Sequence, residues 1–142
     1  MMLLDANLLL YAVDRSSRFH SVASDWLTEQ LNGPLRVGIP WQSLVAFLRI
    51  STHPRASESP LTPEDALRYV DEWLTADAVW TPVPGARHGQ LLADLVARHQ
   101  LRGNLISDAH MAALALEHGL PLVSADSDFA RFTGLRWINP FA

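Results

Sequence analysis

Short apolar runs alternate with segments of helical period along the whole chain, and no other feature limits its fold as tightly. Runs of this length read as buried strands or strand-to-helix junctions, and strands alternating with helices call for a parallel sheet covered on both faces. Strands are expected over residues 3–7, 35–39, 79–83, 120–124 and 135–138. The first runs directly into a short apolar helix over 8–13. An amphipathic helix follows over 18–31, with Phe19, Val22, Ala23, Trp26, Leu27 and Leu31 at helical spacing, and Asn32-Gly33-Pro34 stops it. Pro40 suits the first turn of a helix reaching about Ser51. Thr62-Pro63-Glu64-Asp65 supplies an N-cap, a proline at the first helical position and early acids for a helix to about Thr75. Further helices are expected over 86–99 and from Ser107 or Asp108 to His118, with Gly119 as C-cap, and a short helix or turn over 126–132. Residues 53–63 hold three prolines and two serines and read as a flexible loop. At 142 residues and 49% apolar, the chain can close one core, so a single α/β domain over 1–142 is expected.

Three of the apolar runs end on aspartate. Met1 to Leu4 runs into Asp5, Gly103 to Ser107 into Asp108, and Leu120 to Ala125 into Asp126, with Asp128 two residues on. Each acid alone has an ordinary explanation as a helix cap or turn former. Capping does not explain why three junctions gather acids behind apolar runs. In open parallel sheets function sits at the carboxyl ends of the strands. Four carboxylates converging there repel one another and invite a divalent cation. Oxygen-only donors select a hard ion, Mg2+ or Mn2+.

The charge balance supports that reading. All 11 basic residues are arginine, against 15 acids, for a formal charge of −4. Setting the four aspartates aside leaves 15 − 4 = 11 acids, equal to the arginines. Bound cations therefore weaken the objection that a pI near 5.8 raises to a nucleic-acid partner. The lack of lysine excludes receiver-domain and haloacid-dehalogenase chemistry, which also gather aspartates at strand ends. The lack of cysteine excludes thiol catalysis and thiolate metal sites and suits a reducing cytoplasm. The early acids argue against a secretory signal, and no run approaches the ~18 apolar residues of a membrane span. No paired-histidine metal motif occurs. His20, His88 and His99 read as solvated helix-face residues, whereas His110 is near enough to Asp108 to line the acid site.

At these residues the chain resembles PIN-domain ribonucleases, and more narrowly the VapC toxins of bacterial toxin–antitoxin pairs. Leu3-Leu4-Asp5-Ala6-Asn7 is similar to the family's first-strand motif, Asn104 to Ala113 to its third acidic segment, and Ser124-Ala125-Asp126-Ser127-Asp128-Phe129 to its last. Phe47 to Arg55 and Phe132 to Pro140 match one VapC subgroup. The similarity runs through nearly the whole chain in order. It implies a PIN-like three-layer α/β/α fold with a central parallel sheet of four to five short strands. It also implies a Mg2+-dependent endoribonuclease toxin held inactive by a cognate antitoxin. One departure stands out. Many relatives carry a glutamate just before the Phe-Leu-Arg stretch, where this chain has Ala46, with Gln42 one turn upstream.

The implied roles follow residue by residue. Asp5 and Asp108 hold one Mg2+ or Mn2+, Asp126 completes the site or bridges to a second ion, and Asp128 supports them. Asn7 and Ser124 hold carboxylate orientation if their segments stay extended, and with Arg49 they are the candidate substrate-binding residues. Arg49, Arg55 and the Arg15/Arg18 pair are candidates for RNA-backbone contacts. Leu44, Val45, Phe47 and Leu48 leave room for an antitoxin groove or a homodimer face, with core packing an equal explanation. Two rivals stand beside the nuclease. One is a Toprim-like metal site, which needs a glutamate where this chain has Asp5. The other is a catalytically silent PIN-like module that binds RNA or protein.

Overall fold

The computed structural model of the chain describes residues 1–56 and 58–142, so Ser57, within the loop expected over 53–63, lies outside the described residues. Five short strands form the sheet: β1 Met2–Leu4, β2 Val37–Gly38, β3 Val79–Trp80, β4 Leu122–Val123 and β5 Trp137–Ile138. All pairings are parallel, in the order β3-β2-β1-β4-β5. From β1 the chain builds outward through β2 and β3, then crosses to the other side for β4 and β5. The order therefore reverses between β1 and β4, and at such a reversal the strand ends flank a crevice.

Side-chain alternation along β1 divides the core in two. Met2 and Leu4 face a layer with Leu8, Leu9, Leu27, Leu44, Phe47 and Trp73. These come from α1 Ala6–Val13, α2 His20–Leu31, α3 Trp41–Ser51 and α4 Pro63–Thr75. Leu3 faces the opposite layer with Leu95, Met111, Leu114 and Phe129. That layer holds α5 His88–His99, α6 Leu105–His118 and a 3-10 turn over Ser127–Arg131. The result is the expected α/β/α sandwich around a parallel sheet.

Element ends follow capping chemistry. Thr62 accepts a hydrogen bond from the Asp65 N–H and Pro63 opens α4, as the sequence predicts. Gly119 closes α6 with φ +66, a left-handed position that glycine adopts without strain. Gly38 is held to glycine by space instead, because a Cβ there would stand 2.9 Å from Pro82 Cγ and 3.0 Å from the Met2 carbonyl.

Three expectations need correction. The first strand does not reach Asn7: Asp5 caps α1 through the Ala6 N–H at 2.8 Å, and the chain is helical from Ala6. The run before Asp108 is not a buried strand end but the first turn of α6, with Ile106 38% exposed. Leu44 and Phe47 are fully buried in the core, which leaves only Val45 of that quartet exposed. No helix among the described residues is long and apolar enough to cross a membrane.

Candidate acid site at the strand reversal

Asp5 leaves β1 and Asp126 follows β4, so both stand at the carboxyl ends of the two central strands. Their segments are tied by the Asp5 N–H to the Val123 carbonyl at 3.0 Å. The start of α3 is fastened over the same edge at two points. The Ser43 hydroxyl donates to the Leu4 carbonyl at 2.7 Å, and the Gln42 amide donates to the Ser107 carbonyl at 3.2 Å. Those carbonyls immediately precede Asp5 and Asp108. Sequence gave no sign of these two clamps, because neither pair is local.

Asp108, Asp126 and Asp128 each present an oxygen within 4.8 Å of the others, two of them half-buried and one exposed. Asp5 stands outside this trio. Its Oδ1 takes the Ala6 N–H at 2.8 Å, and its Oδ2 takes the Ser124 hydroxyl at 2.7 Å and the Asn7 amide at 3.4 Å. Asp5 is the anchored acid and Asp128 a member of the cluster.

The capping explanations hold for two acids and fail for the third. Asp5 caps α1, and Asp126 caps the 3-10 turn through the Asp128 N–H at 2.9 Å. Asp108 takes no hydrogen bond from any described group, and the N-cap of α6 is Asn104. Burial and then the charges of Asp126, Asp5 and Asp128 push the Asp108 carboxyl up to about 6. Burial also raises Asp5, against hydrogen bonds from Ser124 and Ala6. A carboxylate that titrates high because its neighbours repel it gains from a cation placed among them. The donor set suits such an ion, since all three ligand atoms are carboxylate oxygens.

Ser124 joins the pieces. Its hydroxyl donates to Asp5 and accepts from the Asn7 amide at 3.0 Å and from the Asp126 N–H at 3.0 Å. The Asn7 side-chain Oδ1 accepts the Ala125 N–H at 3.2 Å, and Trp137 Nε1 donates to the Ser124 backbone carbonyl at 2.9 Å. Ser124 is fully buried, so it can position acids but cannot touch a substrate. Asn7 reaches the network from a helix, not from the extended segment the sequence suggested.

Other expected participants lie elsewhere. Arg49 is exposed in the last turn of α3, with no ion pair among the described residues. His110 faces α5 instead of lining the acids, and its Nδ1 lies 3.0 Å from Nε2 of His88. His88 is only 8% exposed, so it is an interhelix residue and not a solvated one. His99 packs edge-on against Phe132. Arg131 was not singled out from sequence. Its guanidinium lies 3.4 Å from Asp128 Oδ1, an i,i+3 pair visible once residues 127–131 are read as helical.

Residues 2–135 match the PIN domain family. The chain belongs to that family and, within it, to the VapC ribonucleases. It is 43% identical over 140 residues to Ribonuclease VapC37 of Mycobacterium tuberculosis, covering 99% of this chain and 97% of that one. It is 37% identical to Ribonuclease VapC33 of the same species, covering 99% and 98%. Among solved structures, Mycobacterium tuberculosis VapC20, a sarcin-ricin loop cleaving toxin, aligns with a TM-score of 0.68 at 16% identity over 96% of this chain and 99% of that one. VapBC2 from Rickettsia felis bound to a promoter DNA fragment aligns at 0.66 and 18%, over 97% of each chain. At these identities the structures show the PIN fold alone. The family match answers the Toprim-like alternative. In this PIN domain the acid cluster occupies the strand reversal, and Ala46 is half-buried on α3 one turn from Gln42.

Proposed function

We propose that this VapC-family chain is a divalent-metal-dependent endoribonuclease toxin of the cytoplasm, neutralised by a cognate antitoxin. The observation that carries the reading is Asp108, a carboxylate with no hydrogen-bond partner among the described residues, aimed into two others. Asp108, Asp126 and Asp128 would hold the ion, Mg2+ or Mn2+, with Asp5 close behind. The bound cation supplies Lewis acidity, easing deprotonation of water and offsetting charge on the phosphate in phosphodiester hydrolysis. Asp5 adds negative charge beside the cluster from a half-buried position, and Ser124 and Asn7 hold Asp5 and the 124–126 turn in register. Gln42 ties α3 to the backbone beside Asp108. Ala46 contributes no charge, so the acid burden rests on these aspartates. Arg49 and Arg55, both exposed, are the candidates for backbone contacts with RNA.

Two partners belong to the same reading. A cavity of about 690 Å3, whose lining mixes Leu10, Tyr11, Ile50, Leu61 and Tyr69 with Asp14, Arg15 and Ser16, offers a seat for an antitoxin segment. Trp41 and Val45 expose about half their surface on α3 and suit a homodimer face.

The test is cleavage of RNA by purified protein in Mg2+ and in Mn2+, with EDTA, Asp108→Asn and Asp126→Asn controls. Cleavage is expected only with metal and with both acids intact. Cutting that survives chelation and both substitutions would sink the metal mechanism. A protein that binds RNA without cutting it under any condition would establish the silent module instead.

A further inference from the structure

Arg131 sits where a cation is already wanted. Its Nε donates to the Asp128 carbonyl at 3.1 Å, which folds the side chain back along the 3-10 turn. Its Nη2 then meets Asp128 Oδ1 at 3.4 Å. Among the described residues it is the one cation at ion-pair distance from the acid trio. Its charge also reaches Asp108, where it opposes the push of the surrounding carboxylates. The pair is partly exposed, at 37% and 48% of the two side chains, so it adds little to folding stability. Its effect on a second cation is different in kind. A guanidinium and a divalent ion drawn to the same carboxylate compete for its lone pairs and repel each other.

We infer that Arg131 is a tethered counter-ion that shares Asp128 with the divalent cation and thereby sets the metal affinity of the site. The inference rests on the metal-site reading above. With metal absent, the guanidinium holds Asp128 in the cluster and offsets part of its repulsion. A bound metal would draw on the same carboxylate that Arg131 contacts, while the Nε–H bond to the Asp128 carbonyl would keep the guanidinium beside it. Affinity is therefore moderated by a residue that is not itself a ligand.

Mn2+ titration calorimetry on the full chain tests this without any catalytic readout. Arg131→Gln is expected to bind roughly three- to tenfold tighter than wild type, the size of effect one nearby unit charge exerts in partly exposed surroundings. Arg131→Met, which keeps the aliphatic stem, should show the same gain. Melting in EDTA should find both variants folded. The gain should shrink to the through-space remainder felt at Asp108 when Arg131→Gln is combined with Asp128→Asn. Unchanged or weaker binding by Arg131→Gln and Arg131→Met would overturn the inference while leaving the metal site standing. A gain of undiminished size without the Asp128 carboxylate would overturn it too, by showing that the shared carboxylate contributes nothing beyond the through-space effect that Arg131 also exerts on Asp108. If wild type binds no Mn2+, both the inference and the metal reading fall.

Discussion

The Ser124 hydroxyl has three partners, and each belongs to a different part of the acid site. Replacing it with alanine leaves the Asp126 N–H, the Asn7 amide and Asp5 Oδ2 each short of a bond. Ser124→Ala should destabilise the fold by about 1–3 kcal/mol, the cost of unsatisfied buried polar groups. It should also lower activity more than binding of RNA, which comparison of kcat with KM would reveal. Asp108 gives a pH-dependent expectation. Folded, it holds its proton up to about 6, against 3.8 ordinarily. The folded state therefore binds more protons between those values, and stability it contributes below about 3.8 is lost as pH rises through about 6. In EDTA, Asp108→Asn should melt higher than wild type at pH 7.5, and the gap should close towards pH 4. A constant gap across that range would contradict the crowding of charge around Asp108.

At the level of elements, several helix ends were legible because capping is local. Thr62, Pro63 and the stop at Gly119 act through bonds within a few residues, and each appears where the sequence predicts it. Thr62→Ala should cost about 1 kcal/mol in a denaturant melt. The first strand was misjudged at its end because two local rules conflict. Leu3 to Asn7 has strand-like composition, but Asp5 is also an N-cap, and the cap prevails at Ala6. The α6 start was misplaced for a related reason. Leu105 and Ile106 look like a buried run, yet both lie in the first turn of α6, where Leu105 packs partly against the core and Ile106 is left exposed. Gly38 belongs to this scale as well. Gly38→Ala drives a methyl into Pro82 and the Met2 carbonyl in the centre of the sheet. About 1–3 kcal/mol of lost stability is expected, and a neutral result would mean that the Pro82 segment yields freely.

For the whole molecule, metal binding to the folded state alone should raise the melting temperature. At a hundredfold excess over Kd the gain is about 2.7 kcal/mol, or several degrees for a chain of this size, at ~2–4 °C per kcal/mol. Asp108→Asn should abolish the shift, and a shift that survives it would place the ion elsewhere. The alternation of apolar runs and helices determined the layer architecture by itself, because burial on both faces of a parallel sheet leaves a period visible in the chain. The acids on Asp5, Asp108 and Asp126 were equally legible, since an unexplained charge behind an apolar run stands out wherever the run goes. Only the tertiary structure decided which of them meet. Strand order puts β1 beside β4, across more than a hundred residues, and no local pattern encodes that adjacency. The same packing locks Asp5 into bonds with Ser124 and Asn7, brings Asp128 into the cluster and turns His110 away towards His88. Charge and periodicity are properties of single segments, but a site is a coincidence of several. Their relative placement is set by which apolar faces pack together.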